Sequence, residues 1–366
     1  MAIVLGAAYS MSAVGEGLAA SYDRMRTGGT SIAREKLHGS VAHVGRMRDV
    51  HQHMPDRLFH ILDHCIEASR QRLKNELAPE RTQWIISSTK GDIGALDRGR
   101  PQEAALTGLA HRLQQRQETT SVPWVVSNAC ASGTSAIALG GQLIRSGQCD
   151  HVVVVGIDLL SRFVLDGFRS LYALSAGPCR PFDAARDGTS LGEACASVVL
   201  SNDPGSFNEP LGTLLGSGIA HDANHISGPS RTGEGLKRAV EQAMRNSGIT
   251  AQAMTVINAH ATGTAYNDAM ESIAFERCGL SDVPISGYKG WFGHTLGAAG
   301  VLETIIALHG LQHGWALRNE GPLQVDPALR VRVLEKDEHV TGDVLLKTSS
   351  GFGGCNAALI LRAWKN

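Results

Sequence analysis

Three residues in this sequence have side chains suited to covalent and hydrogen-bond catalysis, and each stands at a turn between apolar runs. Cys130 lies in Ser127-Asn128-Ala129-Cys130-Ala131-Ser132-Gly133, after the apolar Trp124–Val126 and before a stretch of helical spacing that reaches Ser146. His260 lies in Asn258-Ala259-His260-Ala261-Thr262-Gly263-Thr264, directly after Val256-Ile257, and His294 in Gly293-His294-Thr295-Leu296-Gly297. A thiol at the start of a helix meets unpaired N–H groups and partial positive charge, which is expected to lower its pKa and raise its thiolate fraction. Small neighbours on either side leave room for a substrate to reach the sulfur. An inert buried cysteine is the other reading of Cys130, and a structural imidazole that of either histidine. A metal site is the competing use of cysteine with histidine, but separations of 130 and 34 residues match no local ligand motif, and no metal is expected.

The elements needed to hold these groups follow from periodicity. Strands are expected at Ile3 to Leu5, Trp84 to Ser87, Trp124 to Val126, His151 to Val155 and Ala196 to Leu200, then at Leu211 to Ala220, Val256 to Ala259, Pro284 to Ser286, Asp343 to Ser349 and Ala357 to Leu361. Val152 to Val155 is β-branched throughout, as in a strand buried on both faces. Helices are expected from Asp56 to Leu73, Glu103 to Gln114, Cys130 onward, Gly233 to Ser247, Asn267 to Cys278 and His294 to His309. Residues 15–55 carry little pattern and are expected to be irregular. Strands alternating with helices predict α/β layers, and both halves set a reactive residue with small neighbours at a helix start. The chain therefore reads as two similar halves, 1–205 carrying the cysteine and 206–366 carrying the histidines.

Composition narrows the function classes. The 366 residues are 43% hydrophobic and 19% charged, which describes a globular protein with ample core. A formal net charge of −1 gives no reason to expect nucleic acid. Seven scattered cysteines without a CxxC pair suggest neither a disulfide framework nor a zinc ribbon. No apolar run is long enough to span a bilayer and no basic leader opens the sequence, so a cytoplasmic protein is expected.

Five motifs together resemble the β-ketoacyl synthase family: Asn128-Ala129-Cys130-Ala131-Ser132-Gly133, Pro181 to Gly188 with Gly192-Glu193, His260-Ala261-Thr262-Gly263-Thr264, Lys289 with Gly293-His294, and Gly351-Phe352-Gly353-Gly354. The resemblance covers the chain from near residue 125 to its end. It implies a thiolase-like αβαβα layered fold of two pseudo-symmetric halves, and a decarboxylative Claisen condensation of acyl chains carried on acyl carrier protein, without a cofactor. Two histidines imply the elongating branch. By the same resemblance Cys130 holds the acyl chain as a thioester. His260 and His294 donate Nε2–H to the enolate, and the N–H groups of Cys130 and Phe352 receive the tetrahedral oxyanion. Phe352 between Gly351 and Gly353 resembles a gate, its alternative being a core aromatic over a tight turn. Lys289 and Glu271 are expected to form a buried pair that orients His260, or a purely structural ion pair. Thr262 and Thr264 are supporting residues of the same motif, and Asp187 and Glu193 are structural landmarks. Relatives commonly carry glycine where Ala261 stands, and Ala261 is expected to hold a conventional backbone angle.

The implied partners are an acyl carrier protein and a second subunit, in a homodimer or in a heterodimer with a related chain. Carriers are acidic, so a local basic patch is expected, with Arg46, Arg48, Arg57 and Arg180 as candidates or as ordinary solvated arginines. A non-catalytic partner subunit is the alternative function, which the retained Cys130, His260 and His294 argue against. A thiolase or acyltransferase using coenzyme A on the same fold is a third, disfavoured because thiolases use a second cysteine as base and His294 occupies a different kind of site.

Overall fold

The computed structural model describes residues 2–37, 39–48, 54, 56–222, 228, 230–321 and 324–365. Five strands of the first half, β1 (Ile3–Ser12), β2 (Thr82–Ser87), β3 (Trp124–Val126), β4 (His151–Asp158) and β5 (Ala194–Ser201), lie in the order β3-β2-β4-β5-β1. Five of the second half, β6 (Pro210–His221), β7 (Val256–Asn258), β8 (Pro284–Ser286), β9 (Val344–Gly351) and β10 (Cys355–Ala363), lie in the order β8-β7-β9-β10-β6. The two orders are the same permutation. The directions repeat as well: β2 is parallel to β3 and β4 as β7 is to β8 and β9, and the last two pairings of each half are antiparallel. β1 and β6 join the halves edge to edge through Ile3↔Leu214 and Leu5↔Gly212.

Period-two alternation sorts the strand residues into layers. Ile3, Leu5, Val152, Val154, Val198 and Leu200 point to one face, with Leu345, Leu359 and Leu361 of the second half, and enclose the Ser132–Arg145 and Ala299–Gln312 helices. Both helices are buried on nearly every side, as helices covered by two sheet layers are. Val4, Val153, Val155 and Val199 point the other way, onto Phe59, Ile61 and Leu62 of the Arg57–Arg70 helix. Ile257, Leu346 and Ile360 meet Leu236, Ala239 and Val240 of the Glu234–Ser247 helix. The result is a thiolase-like α/β fold of two pseudo-symmetric halves.

The central helices touch at glycine. A Cβ on Gly300 would stand 2.2 Å from the Thr134 nitrogen, and one on Gly133 2.7 Å from the Val301 nitrogen. Contact of backbone on backbone brings the helix that follows Cys130 against the one that follows His294.

Two expectations are corrected, and one helix had none. The stretch read as irregular holds a helix, Leu18–Thr27, and a hairpin of Ala33–Leu37 with Ser40–Gly45, while residues 38, 49–53 and 55 lie outside the described residues. The hairpin's Ala-Arg-Glu-Lys-Leu strand has only its last residue buried, so hydrophobic alternation could not reveal it. The helix expected at His294 starts at Ala299, after a 3-10 turn over Leu296–Ala298. A helix at Arg162–Ser170 had no sequence expectation, although it presents Val164, Leu165 and Phe168 on one buried side.

Candidate active site

Past the end of β3 the chain makes a tight elbow. Ala129 takes φ 45°, a region that costs an L-residue about 1–3 kcal/mol and is held by its surroundings. The Ser132 hydroxyl accepts from the Asn128 N–H at 2.8 Å and donates to the Ala129 carbonyl at 2.5 Å, closing the turn on both sides. Cys130 sits at its apex, 6% exposed, two residues ahead of the Ser132–Arg145 helix. The expected lowering of its pKa is overturned: burial pushes the thiol up to about 11, against the smaller pull of Lys289 and Lys90 and of the Phe352 N–H that faces the sulfur. A helix start lowers a thiol's pKa only where its desolvation cost is smaller.

His260 follows β7 on a loop held by two carboxylates of the Ala265–Arg277 helix. Glu271 accepts the N–H groups of His260 (2.7 Å) and Ala261 (2.6 Å), and Asp268 those of Thr262 (3.1 Å) and Gly263 (3.3 Å). Four consecutive amides thus converge on acids one helical turn apart. Burial raises Glu271 to about 7, with Asp268 adding to the shift. Thr264 caps this helix through the Asn267 N–H, and its hydroxyl meets that of Thr262 at 2.9 Å. Ala261 departs from expectation with φ 47°. Its methyl group fits because Gly287 has none: a Cβ there would lie 2.1 Å from it.

His294 follows Gly293, whose φ is 77°, and its carbonyl accepts from the Gly192 N–H at 2.9 Å. Its Nδ1 accepts the Leu296 N–H at 3.3 Å, which leaves the ring proton on Nε2, an atom without a partner among the described residues. The His260 and His294 rings stand edge to face at 5.2 Å. Burial holds both imidazoles well below their ordinary range, and Lys289 and Lys347 press in the same direction, so both are neutral.

Sequence separation gave no hint of how close these groups come: one donor atom from each of Cys130, His260 and His294 lies within 4.8 Å of the others. Three such donors are the right types for a transition metal, but the surroundings fit one poorly. The Nε2 of His294 carries the proton a ligand must lack, and among the described residues the Nδ1 of His260 has no oxygen partner of the kind that orients metal-bound imidazoles. Two buried ammonium groups stand close by.

Those ammonium groups replace the expected Lys289–Glu271 pair. Lys289 bonds the Glu303 carboxylate at 2.8 Å and also donates to the His260 carbonyl. The second oxygen of Glu303 accepts from Lys347. All three side chains are fully buried. Glu271 is instead spent on backbone amides, because a carboxylate beside two free N–H groups is better satisfied there than across the loop. Glu303 and Lys347 were missed, although a lone charge within Val301-Leu302-Glu303-Thr304-Ile305 and another within Leu345-Leu346-Lys347 are the signal of a buried pair.

The cysteine and both histidines open into a cavity of about 390 Å³ lined also by Phe168, Tyr172, Thr262, Thr264, Tyr266, Gly351 and Phe352. Phe352 packs against Phe168 with ring centroids 5.5 Å apart and planes tilted by 34°, and Phe168 stands edge-on to His294 at 6.4 Å. Gly351 allows a close approach to the elbow: a Cβ would lie 3.0 Å from both the Cys130 nitrogen and the Ala129 methyl carbon. Gly353, at φ 86°, turns the chain from β9 into β10.

The four candidate arginines do not form one patch. Arg57 clasps the buried Glu193 through both terminal nitrogens at 2.9 Å, and Arg46 pairs with Glu35. Arg46 and Arg48 line a separate cavity of about 420 Å³ beside Met11 to Glu16. Arg180 donates to the Ala185 carbonyl. Asp187 accepts from Ser175 and the Ala176 N–H, tying its loop.

A layered α/β fold with a cysteine elbow in one half and two histidine loops in the other defines a thiolase-like protein. Residues 98–204 match the N-terminal domain of β-ketoacyl synthases and residues 211–320 the C-terminal domain, and the chain belongs to that family. The 3-oxoacyl-acyl-carrier-protein synthase 2 of Rhizobium meliloti is 35% identical over 257 residues, 65% of this chain and 60% of the relative. The ketoacyl synthase alpha subunit of the tetracenomycin polyketide synthase from Streptomyces glaucescens is 28% identical over 370 residues, 95% of this chain and 84% of that one. A chain from the structure of a ketosynthase in complex with its chain length factor, from Xenorhabdus doucetiae, superposes with a TM-score of 0.85 at 28% identity, over 99% of this chain and 98% of the other. The aligned part spans less than two thirds of the first curated relatives, 60% of the rhizobial enzyme and 63% of a mitochondrial one from Schizosaccharomyces pombe. Among the described residues no helix is long and apolar enough to cross a membrane.

Proposed function

We propose that this chain is an elongating β-ketoacyl-carrier-protein synthase, working in fatty-acid or polyketide synthesis. The observation that carries the reading is the meeting of Cys130 with two neutral imidazoles at the end of one cavity. In the first half-reaction the Cys130 sulfur attacks the thioester carbonyl of an acyl carrier. The oxyanion is received by the N–H groups of Cys130 and Phe352, and the carrier thiol leaves with the proton the cysteine gave up. The thiol's raised pKa means that its proton leaves as the sulfur attacks rather than beforehand.

In the second half-reaction the malonyl thioester loses carbon dioxide. Its electron pair moves into an enolate whose oxygen lies between the Nε2–H groups of His260 and His294. The enolate carbon then attacks the acyl-Cys130 carbonyl, and collapse of the tetrahedral adduct returns the thiolate and releases a β-ketoacyl carrier. Neutral imidazoles suit this role, since the enolate needs donors and no proton has to be removed. Phe352, packed against Phe168 over the cysteine, acts as the gate.

The reading includes a division into halves at 1–205 and 206–366, supported by the repeated strand order, a cytoplasmic location, and a dimer with itself or with a related subunit. It also includes an acidic acyl carrier protein, docked where a cavity of about 360 Å³ bearing Arg34, His43 and Arg169 shares Tyr172 with the catalytic cavity.

Intact-mass measurement after incubation with acyl and malonyl carriers tests the function. The expected result is one acyl adduct, lost in Cys130→Ala, and retained in His260→Ala and His294→Ala while malonyl decarboxylation falls by about two orders of magnitude. An adduct that survives Cys130→Ala, or histidine variants that lose loading and keep decarboxylation, overturns it.

A further inference from the structure

Lys347 lies in the middle of β9, fully buried, opposite Asn258 of β7 in register. An ammonium group at such a place is expensive, and an aliphatic side chain would pack there without that cost. Its Nζ shares Glu303 with Lys289, so one carboxylate serves two cations. Glu271, the other buried acid that acts on Lys347, offsets this charge only in part, since burial raises its carboxyl to about 7. Glu271 faces the amides of His260 and Ala261 and the side chains of Asn267 and Thr348, and Asp268 faces amides, Asn267 and Arg186. The Lys289–Glu303–Lys347 group thus carries a surplus positive charge, directly behind the loop whose His260 carbonyl Lys289 holds.

We propose that Lys347 is a positioning residue for the half-reaction that handles an anion: its surplus charge, shared through Glu303, draws the carboxylate of the extender into the cavity and steadies the enolate that replaces it. The inference rests on the ketosynthase reading and adds a residue to it. Acyl loading brings in a neutral thioester, and Lys289 is the member of the group that favours the Cys130 thiolate, whereas decarboxylation begins and ends with a negative group beside His260 and His294. The same charge presses both histidines toward their neutral forms. The groups facing it are Glu303 and Lys289 on the helix and turn behind, Glu271 on the Ala265–Arg277 helix, and the two imidazoles.

The test compares two half-reactions in the full-length chain: loading of Cys130 by hexanoyl-pantetheine, read by intact mass, and carbon dioxide release from malonyl-pantetheine. In Lys347→Met and Lys347→Gln, loading should stay within about two-fold while decarboxylation falls about ten-fold or more, and the acid limb of decarboxylation should move up by about one pH unit. Lys347→Arg, which keeps the charge, should restore the ratio. The unmodified protein supplies a check that needs no variant. Burial brings Lys347 down to about 8, so its ratio of decarboxylation to loading should drop as the pH rises through that value. Parallel loss of both half-reactions with an unmoved acid limb, or a ratio flat across pH 8, overturns the inference. Failure of the unmodified protein to load or decarboxylate at all refutes the ketosynthase reading instead.

Discussion

Gly300→Ala is the sharpest test of how the two halves are aligned. The added methyl carbon would stand 2.2 Å from the Thr134 nitrogen, 2.5 Å from its hydroxyl and 2.7 Å from the Gly133 carbonyl carbon, whereas ordinary contact begins at 3.4 Å. Two of these three atoms are backbone, so no rotamer change relieves the clash and the helices themselves must part by roughly 1 Å. Overpacking of this kind costs about 1–3 kcal/mol in stability. The larger effect is on geometry, since one helix follows Cys130 and the other follows His294, and a displacement of roughly 1 Å between reacting groups costs about 100-fold in rate. Thermal unfolding and single-turnover condensation on the same preparation separate the two losses. A variant that melts lower by only a few degrees yet loses about 100-fold in condensation fits the argument. A variant with unchanged condensation would show that the helix contact does not set the cysteine-to-histidine spacing.

Two further outcomes can be checked with little material. Glu303→Gln strands two buried ammonium groups and should cost about 3–5 kcal/mol near neutral pH. A buried lysine without its partner titrates lower still than the value of about 8 that Lys347 already has, so between roughly pH 6 and 8 the variant's native state sheds a proton its unfolded chain keeps. Its stability then rises with pH where the unmodified protein's does not, and melting curves across that window should show the deficit shrinking; a constant deficit refutes the pairing. Arg34→Glu with Arg169→Glu should slow condensation with carrier-bound substrate about ten-fold at low salt, with little change for the matching pantetheine thioesters. Equal losses for both would rule out docking at that surface.

Most of the frame could be read from the residues in order. Val152 to Val155 announced a two-sided strand, and Val125 to Gly133 announced a strand, an elbow and a helix, because local periodicity and small residues decide both. The chemistry-bearing side chains stood out by type and by the company they keep. What sequence could not show was which charge meets which. Lys289 lies 18 residues from Glu271 and 14 from Glu303, and only the fold reveals that the first acid turns to the amides of the His260 loop. The positive φ of Ala261 was hidden for a similar reason, since the vacancy that admits its methyl group comes from Gly287, on another segment. The thiol was misjudged because a helix start is a local feature, whereas burial on all sides is not.

The position of β1 also dictates when the molecule can finish folding. All ten of its residues are buried, yet apart from a local pairing of Met11 and Ser12 with Glu16 and Gly15 its neighbours in the sheet are β5, ending at Ser201, and β6, which meets Ile3 at Leu214. At about 5–20 residues per second, a ribosome takes roughly 10–40 s to supply those partners after β1 has emerged. Through that interval an apolar strand with most of both edges unpaired is exposed to whatever else is in reach, which is the condition that favours mispairing. Synthesis therefore leaves the first half open until the second has begun. A slower ribosome lengthens the hazard, while a chaperone that covers β1 until residue 214 has cleared the exit tunnel removes it.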